Sequence, residues 1–182
     1  MYKNKLHFKI NFLFFFVVFV FIQKSHTQNG PENILLTAYV QDPDKENPTN
    51  IRKDPGGEIL ISLKKSGEYM VEIIGQKNAW FKINKIQVFD TEAVDIPGKT
   101  AWMHFSVLAV RTRNYADQSL NVYSLPNMKS KITAVIKEET EVRFKKINND
   151  YVLIRFTDSK GKNVEGWIKK DWLCGNPVTN CN

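Results

Sequence analysis

Bond-breaking chemistry needs a nucleophile, a base to activate it, or a metal, and this chain offers few of each. Its histidines are His7, His26 and His104. Only His104 lies beyond the apolar leader, so any nucleophile–His relay rests on it. Ser106 follows two residues later on the same turn or strand, and Cys174 is expected to be bridged. Neither makes a convincing partner for His104, and no catalytic residue is expected. Asp90, Glu92 and Asp95 cluster, but they lack the glycine and the terminal glutamate of an EF-hand loop. They read as a solvated hairpin tip. There is no Gly-rich phosphate loop and no metal-spaced Cys/His group. No metal, cofactor or enzymatic activity is therefore expected.

Cys174 and Cys181 are the two cysteines, both near the C-terminus. In an exported chain they are expected to close a small disulfide loop, contributing about 2–3 kcal/mol by restricting the unfolded tail. Export is expected from the other end. Lys3, Lys5 and Lys9 precede an apolar run over residues 12–22. That run is shorter than the ~20 residues that cross a bilayer, so residues 1–27 are expected to be a signal peptide cut after Thr27. No stable membrane insertion should follow its removal, and the location should be periplasmic or secreted.

Four of the 26 basic residues, Lys3, Lys5, Lys9 and Lys24, leave with the leader, so 22 face 19 acidic residues in the remainder. The charges are interspersed, which is an ordinary solvated surface and no footprint for nucleic acid.

The elements that must carry any site are strands. Short β-branched and aromatic runs recur at roughly 8–12-residue spacing, broken by Gly, Pro and Asn, and no helical periodicity is sustained. The fold class is all-β. The chain also restarts. Ala101-Trp102-Met103 with Leu108 is answered by Gly166-Trp167-Ile168 with Leu173. Asn50 and Trp80 are 30 residues apart, as are Asn121 and Tyr151. The first copy is longer only between Trp80 and Trp102, where residues 86–98 are expected to form a surface hairpin. Residues 109–117 should connect two close-set copies, since no Pro- or Ser-rich spacer appears. Trp80, Trp102, Tyr151 and Trp167 are expected to face inward and fill the core.

The order Asn-apolar-x-x-x-Pro, β meander, Gly-Trp-apolar-x-x-x-apolar-Leu resembles bacterial SH3 (SH3b) domains. The likeness covers residues 34–110 and 111–174. It is closer in the second copy, where Leu120-Asn121-Val122-Tyr123-Ser124-Leu125-Pro126 parallels the family's opening. Tyr123 replaces the usual Arg there, and Ala101 replaces the usual Gly in the first copy. The segments Thr112-Arg113-Asn114-Tyr115 and Trp172-Leu173-Cys174-Gly175-Asn176-Pro177 look like tandem SH3b proteins exported by Bacteroidetes-type bacteria. The resemblance implies two SH3-like small β-barrels, at 34–110 and 111–182, the second with a disulfide-closed tail. It also implies a groove for cell-wall peptides, peptidoglycan or another envelope component, or for a protein partner. Tyr39, Arg52, Tyr123 and Trp172 are the expected ligand-binding residues.

Overall fold

The computed structural model describes residues 33–176 except 66, 90, 91, 115 and 116. The expected signal peptide, Asp90 and Cys181 lie outside the described residues. The first half is built from β1 (Leu36–Val40), β2 (Thr49–Arg52), β3 (Ile59–Leu63), β4 (Tyr69–Lys77), β5 (Trp80–Val88), β6 (Ala93–Val94) and β7 (Ala101–His104). A 3₁₀ turn, Phe105–Val107, leads into β8 (Leu108–Thr112). The second half holds β9 (Leu120–Tyr123), β10 (Ile132–Ile136), β11 (Glu141–Asn148), β12 (Tyr151–Thr157) and β13 (Asn163–Lys169). A second 3₁₀ turn, Lys170–Trp172, leads into β14 (Leu173–Cys174). The fold is all-β and every pairing is antiparallel. Among the described residues no helix is long and apolar enough to cross a membrane.

The pairing scheme repeats. The first half runs β8-β1-β4-β5-β7-β2-β3, and the second runs β14-β8-β11-β12-β13-β9-β10. β8 therefore ends one round and begins the next. It pairs with β1 through Leu108 and Ala109, with β11 through Val110 and Arg111, and with β14 through Arg111 and Thr112. Residues 109–117, expected as a connection, contain most of this strand, and the expected boundary at 110/111 falls inside it. The result is one ladder that ends on β3 and β10 and does not close on itself. The extra length of the first half is where it was expected, with β6 folding back on β5.

One apolar cluster runs through both halves. Phe81 and Phe144, each fully buried, meet across the junction with ring centroids 4.9 Å apart. The Gln76 side-chain amide joins the backbone of Ile147 twice, Nε2 to its carbonyl at 2.5 Å and Oε1 from its N–H at 2.8 Å. Arg143 donates to the carbonyls of Gln41, Ser106 and Leu108. These bonds satisfy groups that burial would otherwise leave costly. Gly175 packs on β1, where a Cβ would stand 2.1 Å from the Thr37 carbonyl oxygen.

The expected core residues are displaced by one. Trp80, Trp102, Tyr151 and Trp167 are half-buried, while their neighbours Phe81, Met103, Val152 and Ile168 are fully buried. Strand alternation was expected correctly, but its phase was not. The inward slot beside Trp167 belongs to Gly166, where even a Cβ would meet Val122 Cγ1 at 2.6 Å. A slot that tight cannot admit an indole, so Trp167 takes the opposite face.

Candidate binding cleft at the junction of the repeats

A polar cleft of about 320 Å3 opens where the two halves meet. It is walled by the end of β1 and its following loop, by the β3–β4 turn, and by Arg111 and Glu141 of β8 and β11. Tyr39 is almost wholly buried at its floor. Alternation on β1 turns Ala38 into the first half's core, and Tyr39 points across the junction instead. Its hydroxyl donates to Glu141 Oε2 at 3.1 Å, a contact spanning 102 residues of chain. Burial, then the Glu141 charge, pushes the phenol up to about 12. Its hydroxyl, with Glu139 at 3.3 Å, holds the Arg111 guanidinium above its ordinary value.

The opposite wall is fixed by Asp42. It accepts from Thr49 Oγ1 at 2.7 Å and from the Asp44 N–H at 3.0 Å, and it pairs with Lys65 at 3.1 Å. Burial would raise this carboxyl, but the hydrogen bonds from Thr49, Lys65 and Asp44 outweigh it and hold it low. Asp44 is brought down to about 2, chiefly by the Asn47 side chain and amide. Lys45, Lys64 and Glu68 complete a rim of both signs. Such a cleft suits a small polar ligand carrying both charges. Tyr39 stays protonated at neutral pH and cannot serve as a base there.

His104 and Ser106 do meet, which sequence spacing alone had not suggested. His104 Nδ1 lies 2.8 Å from Ser106 Oγ and accepts from the Ser106 N–H at 3.4 Å. The same nitrogen caps the 3₁₀ turn. Burial lowers the imidazole pKa from its ordinary value. Trp80 and Phe105 flank it at 5.2 and 4.6 Å. Among the described residues no carboxylate is hydrogen-bonded to the ring. Also among the described residues, no group of acidic, His and Cys side chains is placed to hold a metal.

The four expected ligand-binding residues are not brought together. Tyr39 lines the cleft. Arg52 donates to the Gly57 carbonyl at 2.6 Å, and its strand position is the first-half equivalent of Tyr123. Trp172 is half-buried and packs against the core. Cys174 is held in a disulfide. The cleft residues that sequence reading missed, Asp42, Lys65, Arg111 and Glu141, carry no local signal. They are ordinary interspersed charges until the fold joins distant segments.

No family model matches the chain, and the comparison with curated proteins returns no match. Among solved structures the chain is similar to NlpC1 from Trichomonas vaginalis, with TM-score 0.30, 16% identity, and 79% of this chain and 47% of that one covered. It is also similar to NlpC2 from the same organism, with TM-score 0.30, 17% identity, and 84% and 53% covered. The chain spans about half the length of these structures. A likeness at that level leaves fold family and activity to be argued from the chain itself.

Proposed function

We propose that the chain is a non-catalytic, exported binding module made of two SH3b-like units, residues 34–110 and 111–182, that meet in β8. Its ligand is a polar envelope component, peptidoglycan or a cell-wall peptide, held in the junction cleft. The observation that carries this reading is the cleft itself, with Tyr39, Asp42, Lys65, Arg111 and Glu141 placed by hydrogen bonds before any ligand arrives. Preorganised walls reduce the ordering cost of binding. The expected leader supplies the route out of the cytoplasm, and neither cofactor nor nucleic acid has a part.

Retention on purified sacculi at low salt tests the proposal. The protein should be retained, and Asp42→Ala or Arg111→Ala should weaken retention. A protein that washes through at low salt would contradict it. A second reading, an adaptor for an envelope protein, is favoured by the apolar contact of Phe81 with Phe144 between the halves. Crosslinking in the native envelope separates the two, because an adaptor traps one dominant protein.

A further inference from the structure

The register places equivalent rows of side chains on the outer faces of the two halves. In the first the row is Ile59, Arg52, Trp102, Lys82. In the second it is Ile132, Tyr123, Trp167, Leu153. A bulge between Ile132 and Ala134 turns Val135 to this same face, opposite Asn121, where the first half has Ser62 opposite Asn50. The second face is thus apolar where the first is charged or polar. Leu125 and Met128 extend it onto the β9–β10 turn, and they are 57% and 59% exposed.

We propose that this second face, with its turn, is a peripheral docking surface for an anionic lipid bilayer. It stands on observations separate from the cleft. Charge selects the occupant. No acidic residue occurs between Asp117 and Glu138, while Lys129, Lys131 and Lys137 are exposed. Lys146 and Lys169 stand opposite Leu153 and Tyr151 on the same face. Glu165, the carboxylate on β13, is paired with Lys145 at 2.5 Å and stands opposite Arg155. An apolar tip ringed by lysines, with Tyr and Trp behind it, is the arrangement that rests in a bilayer interface.

The turn is also built for that setting. The Ser130 hydroxyl accepts from the Leu125 N–H at 3.2 Å and lies 3.1 and 2.9 Å from the Leu125 and Asn127 carbonyls. Ser124 N–H meets the Lys131 carbonyl at 2.8 Å, and Asn127 Oδ1 accepts from the Lys129 N–H at 3.1 Å. Backbone groups at the tip have partners within it, so less polar surface is stranded when water is displaced. The matching turn of the first half carries Lys53-Asp54-Pro55-Gly56-Gly57-Glu58 and offers no such tip.

Co-sedimentation of protein purified from an exporting host tests this, using phosphatidylglycerol/phosphatidylcholine vesicles against phosphatidylcholine alone. Binding should require the anionic lipid and weaken with salt. Lys129→Ala with Lys131→Ala should cost roughly thirtyfold in affinity. Leu125→Asp with Met128→Asp should cost about tenfold or more, while Ile59→Asp on the first half should leave binding unchanged. Both turn positions are solvent-exposed, and an unchanged melting curve certifies the fold. Soluble glycerophosphoglycerol should not compete. Absence of vesicle binding, equal binding to neutral lipid, competition by the soluble headgroup, or indifference to the tip variants would each overturn the proposal. So would a soluble protein partner that takes the face in place of lipid.

Discussion

Tyr123 and Leu153 flank Trp167 on the second repeat, where Arg52 and Lys82 flank Trp102 on the first. The strand order beneath them is the same. The difference teaches that pairing fixes which positions face outward but leaves their chemistry open. The inner faces are constrained more tightly. Ala101 and Gly166 occupy equivalent inward positions, each buried, and Met103 and Ile168 follow them.

The largest expected effect tests how far the repeats are one body. Phe144→Ala should destabilise the protein by about 3–5 kcal/mol. Because Phe81 is its neighbour across the junction, the loss should register at probes in both repeats. Loss confined to the second repeat in denaturant unfolding would break the comparison.

Next is the inward position before each outer tryptophan. Gly166→Ala should cost about 1–3 kcal/mol by overpacking against Val122, whereas Ala101→Gly should cost only about 1 kcal/mol. Thermal melts of the two variants read the asymmetry directly, and equal costs would show that the two slots are alike.

Tyr39→Phe removes the hydroxyl link to the second repeat and should cost about 1 kcal/mol. The titration has a defined sign. The folded phenol sits at about 12 against an ordinary 10. Its contribution is therefore complete below pH 10 and is lost as pH rises toward 12. Ultraviolet titration should show a late-titrating component from Tyr39 that disappears in the variant.

The smallest effect concerns Asp42. Its folded pKa is depressed, so its contribution is present above the ordinary carboxylate value near 3.8 and is lost as pH falls through the folded one. Asp42→Asn should flatten the acid limb of the stability curve and leave the alkaline limb unchanged.

Much of the scaffold was legible in the chain because alternation and turn residues are local. Most strands and the repeat of the pairing appear at the expected places, but the added hairpin starts later than expected, because Ile86 to Val88 continue β5 against β4 and Ile86 and Ile96 are buried. The phase of the tryptophans was not legible. Size suggests the interior, but the slot beside each strand is set by neighbours such as Val122 that only the register reveals. The double use of β8 was hidden for a similar reason. Residues 109–117 read as a plain connection, and only the fold shows that β1, β11 and β14 all reach the strand Leu108–Thr112. The cleft was least legible of all, since Tyr39 and Glu141 become neighbours only through that shared strand.

Native-state hydrogen exchange in rising denaturant, followed at the amides of Phe81 and Ile83 on β5 and of Val152 and Ile154 on β12, addresses the shared-strand arrangement most directly. Two repeats joined by β8 and one core should open together, with the same free energy and the same denaturant slope at all four amides. If β12 opens at lower denaturant while β5 stays protected, or the reverse, the repeats are separate bodies and the account is contradicted.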